Sequence, residues 1–303
     1  MNRVSTKGIS MNYPKKVTLT EVSPRDGLQN EKVFVPTDIK IQFIELLAQA
    51  GFPIIEATSF VNPKKIPMLA DHADVFKSLK SHKNMVYSAL IPNLQGLENA
   101  MQLGCTHITV ITAASETFAQ KNMDCTIAES LQRIETILKI AKTKNIFVRV
   151  DISCTLGCPY EGFIKPEITA EIAKKLLAMS CDEIAVADTI GVGTPLKAQA
   201  LIHAVNRYVP IEKIAIHFHD TYGQAIANIF ACLQLGVSKI DASVGGIGGC
   251  PYAVGATGNV ATENVLYLLD ELNIETGVDL IGVKKSRGFI LRALESVQAS
   301  DIV

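Results

Sequence analysis

From about Lys16 to Leu272 the chain alternates between short β-branched and aliphatic runs and longer segments whose apolar positions recur every three or four residues. The short runs predict strands at Val17–Val22, Ile54–Thr58, Met85–Ile91, His107–Thr112, Phe147–Ile152, Glu183–Ala187, Ile214–His219 and Lys239–Ser243. The longer segments predict helices at Thr37–Ala50, Thr126–Lys142, Thr169–Met179, Leu196–Tyr208, Tyr222–Leu235 and Asn259–Leu272, several closed by Gly or an Asn-rich turn. Eight strands alternating with helices demand parallel pairing and crossover helices, and eight such units close into a (β/α)8 TIM barrel, an α/β fold. A doubly wound open sheet is the competing arrangement. It usually carries a glycine-rich phosphate loop after the first strand, whereas SPRDGLQ contains a single glycine. No Pro/Ser-rich linker or low-complexity tract interrupts the alternation. Residues 1–303 therefore read as one domain, with the barrel proper at about 16–272 and an additional C-terminal helix at about 278–296 packed on its outside.

Composition then excludes several classes. A formal net charge of -1 and a pI near 6.6 give no bulk attraction to nucleic acid or to an anionic membrane, so any anionic partner must be met by a local site. The hydrophobic fraction of 48% comes without an apolar run near the roughly 20 residues that a bilayer requires, which points to a soluble chain with a large core. Seven cysteines, an odd number in apolar contexts with no signal peptide ahead of them, indicate reduced thiols and a cytoplasmic location. Arg3, Lys7, Lys15 and Lys16 precede any acidic residue, a faint echo of an organelle transit peptide. A ragged start with a second initiator at Met11 accounts for the same residues.

In such a barrel, catalytic side chains sit at the C-terminal ends of strands and in the loops that follow. Asp26 follows the first predicted strand, His217 and His219 end the seventh, and Asn259 follows the eighth. Closure makes these three strands neighbours. Residues 217 and 219, two apart on a strand, point to one face while Phe218 points to the other. Two imidazoles, a carboxylate and an amide oxygen can thus converge. This set, without a thiolate, suits Mg2+ or Mn2+ better than structural zinc and leaves about one net positive charge for an anionic, oxygen-rich substrate.

Each candidate has a plainer reading beside the functional one. His72, His82, His107 and His203 are read as satisfied structural histidines, and Asp26 and Asn259 singly can be caps. Arg25 is either a solvated partner of Asp26 or a buried cation at the mouth, in which case Glu56 at the end of the second strand is placed to hold its guanidinium. Asp188 is either a partner of the site or a turn-forming residue, and Glu263 either lines the mouth or is an ordinary exposed acid. The segment VGGIGGCPYAVGATG packs six glycines around Cys250, too many for a stable helix or strand, and reads as a mobile loop that presents one thiol. The alternative for Cys250 is an inert buried thiol. Cys154 and Cys158, spaced C-x3-C with no second pair, are taken as structural.

The motifs PRDGLQNEK, IEATSFV, SCTLGCPYEG, ADTIGVGTP, HFHDTYGQA, GGCPYA and TGNVATE together resemble the 3-hydroxy-3-methylglutaryl-CoA lyases, within the barrel metallolyase superfamily that also contains isopropylmalate and homocitrate synthases. The likeness runs from about Val17 to Leu272. Those synthases typically show RDGEQ where Leu28 stands and H-x-H-N-D where this chain has Asp220-Thr221, and both differences favour the lyase. Gly245 and Ile247 replace the family's usual alanine and leucine, leaving the thiol in place and bearing on lid stiffness.

The resemblance implies Asp26, His217, His219 and Asn259 as metal ligands, Arg25 as the substrate-binding and catalytic arginine, and Cys250 as the catalytic cysteine. His217 or Asp26 is the implied base. It further implies retro-Claisen cleavage of 3-hydroxy-3-methylglutaryl-CoA to acetyl-CoA and acetoacetate, as in leucine degradation and ketone body formation, and a homodimer. Lys32 either meets CoA phosphates or is a surface lysine. The competing functions are cleavage of another hydroxyacyl-CoA, a Claisen-type synthase acting on an oxo acid, and a non-catalytic metal-binding scaffold.

Overall fold

The computed structural model describes residues 13–248 and 258–300, with side chains as far as 297. Eight parallel strands close into a barrel in chain order: β1 (Thr18–Glu21), β2 (Ile54–Ser59), β3 (Val86–Leu90), β4 (His107–Ala113), β5 (Phe147–Ser153), β6 (Glu183–Asp188), β7 (Ile214–Phe218) and β8 (Lys239–Ala242). β8 returns to β1 in the register Thr18↔Lys239 through Glu21↔Ala242, which closes the ring. All eight strands lie where the apolar runs place them, with ends shifted by at most one residue.

The crossovers supply α1 (Thr37–Gln49), α2 (His72–Ser78), α3 (Leu94–Gln102), α4 (Glu116–Met123), α5 (Ile127–Thr143), α6 (Pro166–Ala178), α7 (Pro195–Asn206), α8 (Ala225–Leu233) and α9 (Thr262–Glu271). α5 starts behind a capping box, in which Thr126 accepts from the Glu129 N–H while Glu129 reaches back to the Thr126 N–H. α6 and α7 begin with Pro in the first turn, where a missing N–H costs nothing. The short helices α2, α3 and α4 are additions to the periodic segments named from sequence.

α9 corrects one boundary. It starts at Thr262 rather than Asn259, because Asn259 forms a bridge with His219 and Ala261 one with Ser243. Backbone groups spent on strand-like pairing cannot also open a helix. Asn259 is therefore not the cap of that helix, and Ala261 takes the cap position. The additional C-terminal helix, α10 (Leu280–Ser300), lies against α1, with Gly282 over Ala50 so closely that a Cβ at 282 would stand 2.9 Å from the Ala50 Cβ.

Strand periodicity divides the interior in two. Leu19, Ile55, Ala89, Val150, Ile184 and Ile240 belong to the apolar core. Their neighbours Glu56, Ser88, Thr109, Arg149, Glu183 and Asp241 line a small cavity inside the ring. The core holds the barrel together while the lumen carries the charge.

Candidate functional site

The site begins where β1 ends. After Glu21 the chain makes a π-helical turn over Ser23–Gly27, with the Asp26 N–H donating to the Val22 carbonyl at 2.7 Å. Glu21 is fully buried and accepts from the Ser23 N–H at 3.0 Å, the Val244 N–H at 3.0 Å and the Thr262 hydroxyl at 2.7 Å. One carboxyl thereby ties the turn after β1 to the segment after β8 and to the start of α9. Burial raises its pKa to about 7 against the pull of those donors.

Arg25 is buried, which decides between its two readings. Its Nε donates to Glu56 Oε2 at 2.5 Å and its Nη1 to Asp26 Oδ1 at 2.6 Å. Burial disfavours the charge, but Glu56, Asp26 and Asp151 outweigh it and hold the guanidinium protonated. Asp26 shows the mirror image. Burial works to raise its pKa, and Arg25, His217 and His219 overcome that and hold the carboxyl well below its ordinary range.

β7 delivers His217, and His219 follows just beyond its end. Their Nε2 atoms lie 3.3 Å apart, at 3.9 Å and 4.0 Å from Asp26 Oδ2. Among the described residues, these three form a His/Asp cluster whose donor atoms all lie within 4.8 Å of one another, close enough to hold a metal ion. The two histidines are shifted in opposite directions. Burial lowers the pKa of His217, but its hydrogen bond to Asp241 and the charges of Asp241, Asp26 and Asp151 more than reverse that. Burial and the neighbouring His217 push His219 down to about 4, so its imidazole is neutral at pH 7 and can offer a lone pair.

Asn259 is held over the cluster by its bridge to His219 and donates from Nδ2 to Asp26 Oδ2 at 2.8 Å and to the Ile247 carbonyl at 3.3 Å. A half-turn of the amide exchanges Nδ2 for Oδ1 and converts this donor into a ligand oxygen. The close approach requires Gly248, whose φ is +114° and where a Cβ would lie 2.6 Å from Asn259 Nδ2. Gly245, at φ +67°, sits in the left-handed region that favours the glycine found here over the family's alanine. Its N–H donates to Glu263 at 3.0 Å, so Glu263 fastens the start of the glycine-rich segment.

Asp188 adopts the turn-forming arrangement: its carboxylate accepts from the Val192 N–H at 3.1 Å and the Gly193 N–H at 2.8 Å. It touches the site through its carbonyl, which accepts from the His219 N–H at 3.3 Å. Burial raises its pKa to about 6. Lys32 is exposed, on the segment between Gly27 and α1. Cys250 lies outside the described residues. Cys154 and Cys158 are buried, with Cys158 Sγ 2.9 Å from the Ser115 hydroxyl, in keeping with a structural role.

Sequence reasoning missed what lies beneath the cluster. Arg149 on β5 donates from Nε to Asp151 at 2.7 Å and from Nη1 to Glu183 at 3.3 Å, and its two terminal nitrogens fork onto Asp241. Asp241 in turn faces His217 Nδ1 at 3.0 Å. The signal was available in FVRVDIS, where Arg149 and Asp151 alternate with apolar residues and so share the luminal face.

The HMGL-like family model matches residues 16–290. The mitochondrial hydroxymethylglutaryl-CoA lyase of Bos taurus is 50% identical over 294 residues, 97% of this chain and 90% of that protein. The crystal structure of hydroxymethylglutaryl-CoA lyase from Pseudomonas aeruginosa superposes with a TM-score of 0.91 at 47% identity, covering 96% of this chain and 100% of that one. An HMG-CoA lyase from Acinetobacter baumannii, in complex with coenzyme A and 3-methylmalate, gives a TM-score of 0.89 at 35% identity over 94% and 93% of the two chains. Relatives named mitochondrial and relatives named cytoplasmic are similarly alike. On this agreement of sequence and fold, the chain belongs to the HMGL-like family.

Proposed function

We propose that this protein is a divalent-metal-dependent lyase that cleaves 3-hydroxy-3-methylglutaryl-CoA to acetyl-CoA and acetoacetate. The observation that carries the reading is the convergence of Asp26, His217 and His219 beside a buried, permanently charged Arg25. The donors fit a hard or borderline cation: one ionised carboxylate, one neutral imidazole and a second imidazole whose Nδ1 is already committed to Asp241, with Asn259 in reach. Mg2+ or Mn2+ held by Asp26, His217, His219 and Asn259 would supply Lewis acidity for ionising the substrate hydroxyl.

The protein's own groups then divide the work. His217 or Asp26 accepts the hydroxyl proton. The carbon–carbon bond breaks, the alkoxide carbon becomes the ketone of acetoacetate, and the electron pair moves into the thioester as an enolate. Arg25 stabilises the developing oxyanion, with Glu56 fixing its guanidinium, an effect worth a few kcal/mol per donor. Cys250 donates a proton to the enolate carbon to complete acetyl-CoA. Asp188 and Glu56 support these groups, and Lys32 serves the CoA phosphates. The free buried thiols of Cys105, Cys125, Cys154, Cys158, Cys181 and Cys232 support a reducing cytoplasm as the site of action, and likeness to the family supports a homodimer.

The test is release of acetoacetate from 3-hydroxy-3-methylglutaryl-CoA with Mg2+ present, with other hydroxyacyl-CoA thioesters and an acetyl-CoA plus oxo-acid mixture run alongside. Turnover of one of those in its place assigns the sibling lyase or synthase. Metal binding with no turnover of any thioester leaves only the scaffold. In the same assay Cys250→Ala is expected to slow turnover by orders of magnitude with Mn2+ affinity unchanged, and near-normal activity removes the thiol from the proton-donor role.

A further inference from the structure

His217 is held from behind in a way His219 is not. Its Nδ1 lies 3.0 Å from Asp241 Oδ2, and Asp241 is 2% exposed. The pairing follows from strand register: Ile216 on β7 faces Ile240 on β8, so the next residues, His217 and Asp241, fall side by side on the luminal face. Asp241 cannot swing away, because Arg149 reaches across the lumen from β5 and binds both of its oxygens, Nη1 to Oδ1 at 2.9 Å and Nη2 to Oδ2. Arg149 is itself held by Asp151 and Glu183. Among the described residues, His219 Nδ1 has no hydrogen-bond partner.

We propose that Asp241, clamped by Arg149, is a positioning residue that fixes His217 as the Nδ1–H tautomer and thereby turns the Nε2 lone pair toward Asp26 and the cation. A carboxylate accepts only, so the nitrogen facing it must carry the hydrogen. In the neutral ring the remaining nitrogen is then the bare one. Both oxygens of Asp241 are spoken for by Arg149, which leaves the carboxylate no rotation that would release His217. The ring nitrogen opposite a ligating atom commonly has such a partner, and its loss typically weakens metal affinity about 10–100-fold. Neither Asp241 nor Arg149 touches substrate in this role. The inference rests on the proposed reading of Asp26, His217 and His219 as cation ligands.

Two measurements test it. In the metal-free wild-type protein, labelled with 15N-histidine and titrated upward until the His217 ring shows a single ring N–H, long-range 1H–15N correlation is expected to show that hydrogen on Nδ1. The signal that vanishes in His217→Gln supplies the assignment, and a hydrogen on Nε2 overturns the proposal. Separately, Mn2+ titration followed by the EPR signal of the free ion is expected to show Asp241→Ala binding about 10–100-fold more weakly than wild type. Unchanged affinity in a variant with a native circular dichroism spectrum overturns the proposal. If Asp241→Ala does not fold, the wild-type spectrum still decides. Absence of Mn2+ binding by wild type itself would instead sink the metal-site reading, which separates the two failures.

Discussion

The mouth of the barrel and the ring of charge beneath it use the same residue types to opposite ends. In the lower ring Arg149 meets Asp151, Glu183 and Asp241, and Lys239 Nζ meets Glu183 at 2.7 Å, so the buried charges answer one another. At the mouth, two imidazole nitrogens and a carboxylate oxygen converge with 3.3–4.0 Å between them, and among the described residues His219 Nδ1 is buried without a hydrogen-bond partner. Buried polar groups are normally satisfied, so the lower ring is complete as it stands, whereas the mouth retains donor capacity that the protein does not use internally. A charged cluster signals function through what it leaves unmatched.

Breaking the lower ring is expected to cost the most, and in stability. Arg149→Met leaves Asp151, Glu183 and Asp241 buried with one cation fewer, which is expected to destabilise the fold by about 3–5 kcal/mol in urea denaturation. A change within about 0.5 kcal/mol would show that water, and not Arg149, satisfies those carboxylates. At the mouth the expected losses are functional. Arg25→Lys keeps a charge but loses the planar fork that meets Glu56 and Asp26 together, and kcat is expected to fall about 100-fold with little change in KM. A rise in KM at constant kcat would make Arg25 a binding group only. His219→Ala is expected to weaken Mn2+ binding at least about 100-fold, beyond the range typical for a group behind a ligand, while leaving the urea midpoint near wild type. Unaltered Mn2+ affinity removes it from the ligand set.

The smallest expected effects are those of pH, and the two histidines have opposite signs. His219, pushed down to about 4, resists a proton that the unfolded chain accepts near 6.5, so its contribution to stability is present above that value and is lost as pH falls toward 4. His217 has a raised pKa, so the native state holds its proton more tightly than the unfolded chain does. Its contribution is fully present below about 6.5 and is lost as pH rises through the folded value. A metal ion must displace that proton. Mn2+ binding is therefore expected to strengthen with rising pH and to release a proton, detectable by calorimetry in buffers of different ionisation enthalpy. Binding without proton release would mean that His217 is already neutral.

Much of this was legible in the chain. Apolar periodicity located all eight strands, because a strand covered by helices must be apolar on its outer face wherever it sits in the ring. The H-x-H spacing and the loop positions of Asp26 and Asn259 pointed to one mouth, because strand ends in a closed barrel share a rim. What failed to show has a common cause. Asn259 read as the start of a helix because its helical continuation begins three residues later, and nothing local announces a bridge to His219 from 40 residues back. Glu21 went unremarked since its three donors come from residues 23, 244 and 262. Asp188 reads from sequence as a substrate-site residue, and the structure instead sets its carboxylate on the Val192 and Gly193 N–H groups of its own turn.

By itself, the sequence determined the barrel, the end at which chemistry gathers and the meeting of Asp26, His217 and His219 there, because each follows from periodicity and strand direction. The tertiary structure alone decided which charges are matched and which are left over: that Arg149 crosses the lumen to Asp241, that Asp241 stands behind His217 and that, among the described residues, His219 has no such support. Those pairings join residues up to 92 positions apart, and the balance of burial against neighbouring charge that sets each protonation state exists only once the ring has closed.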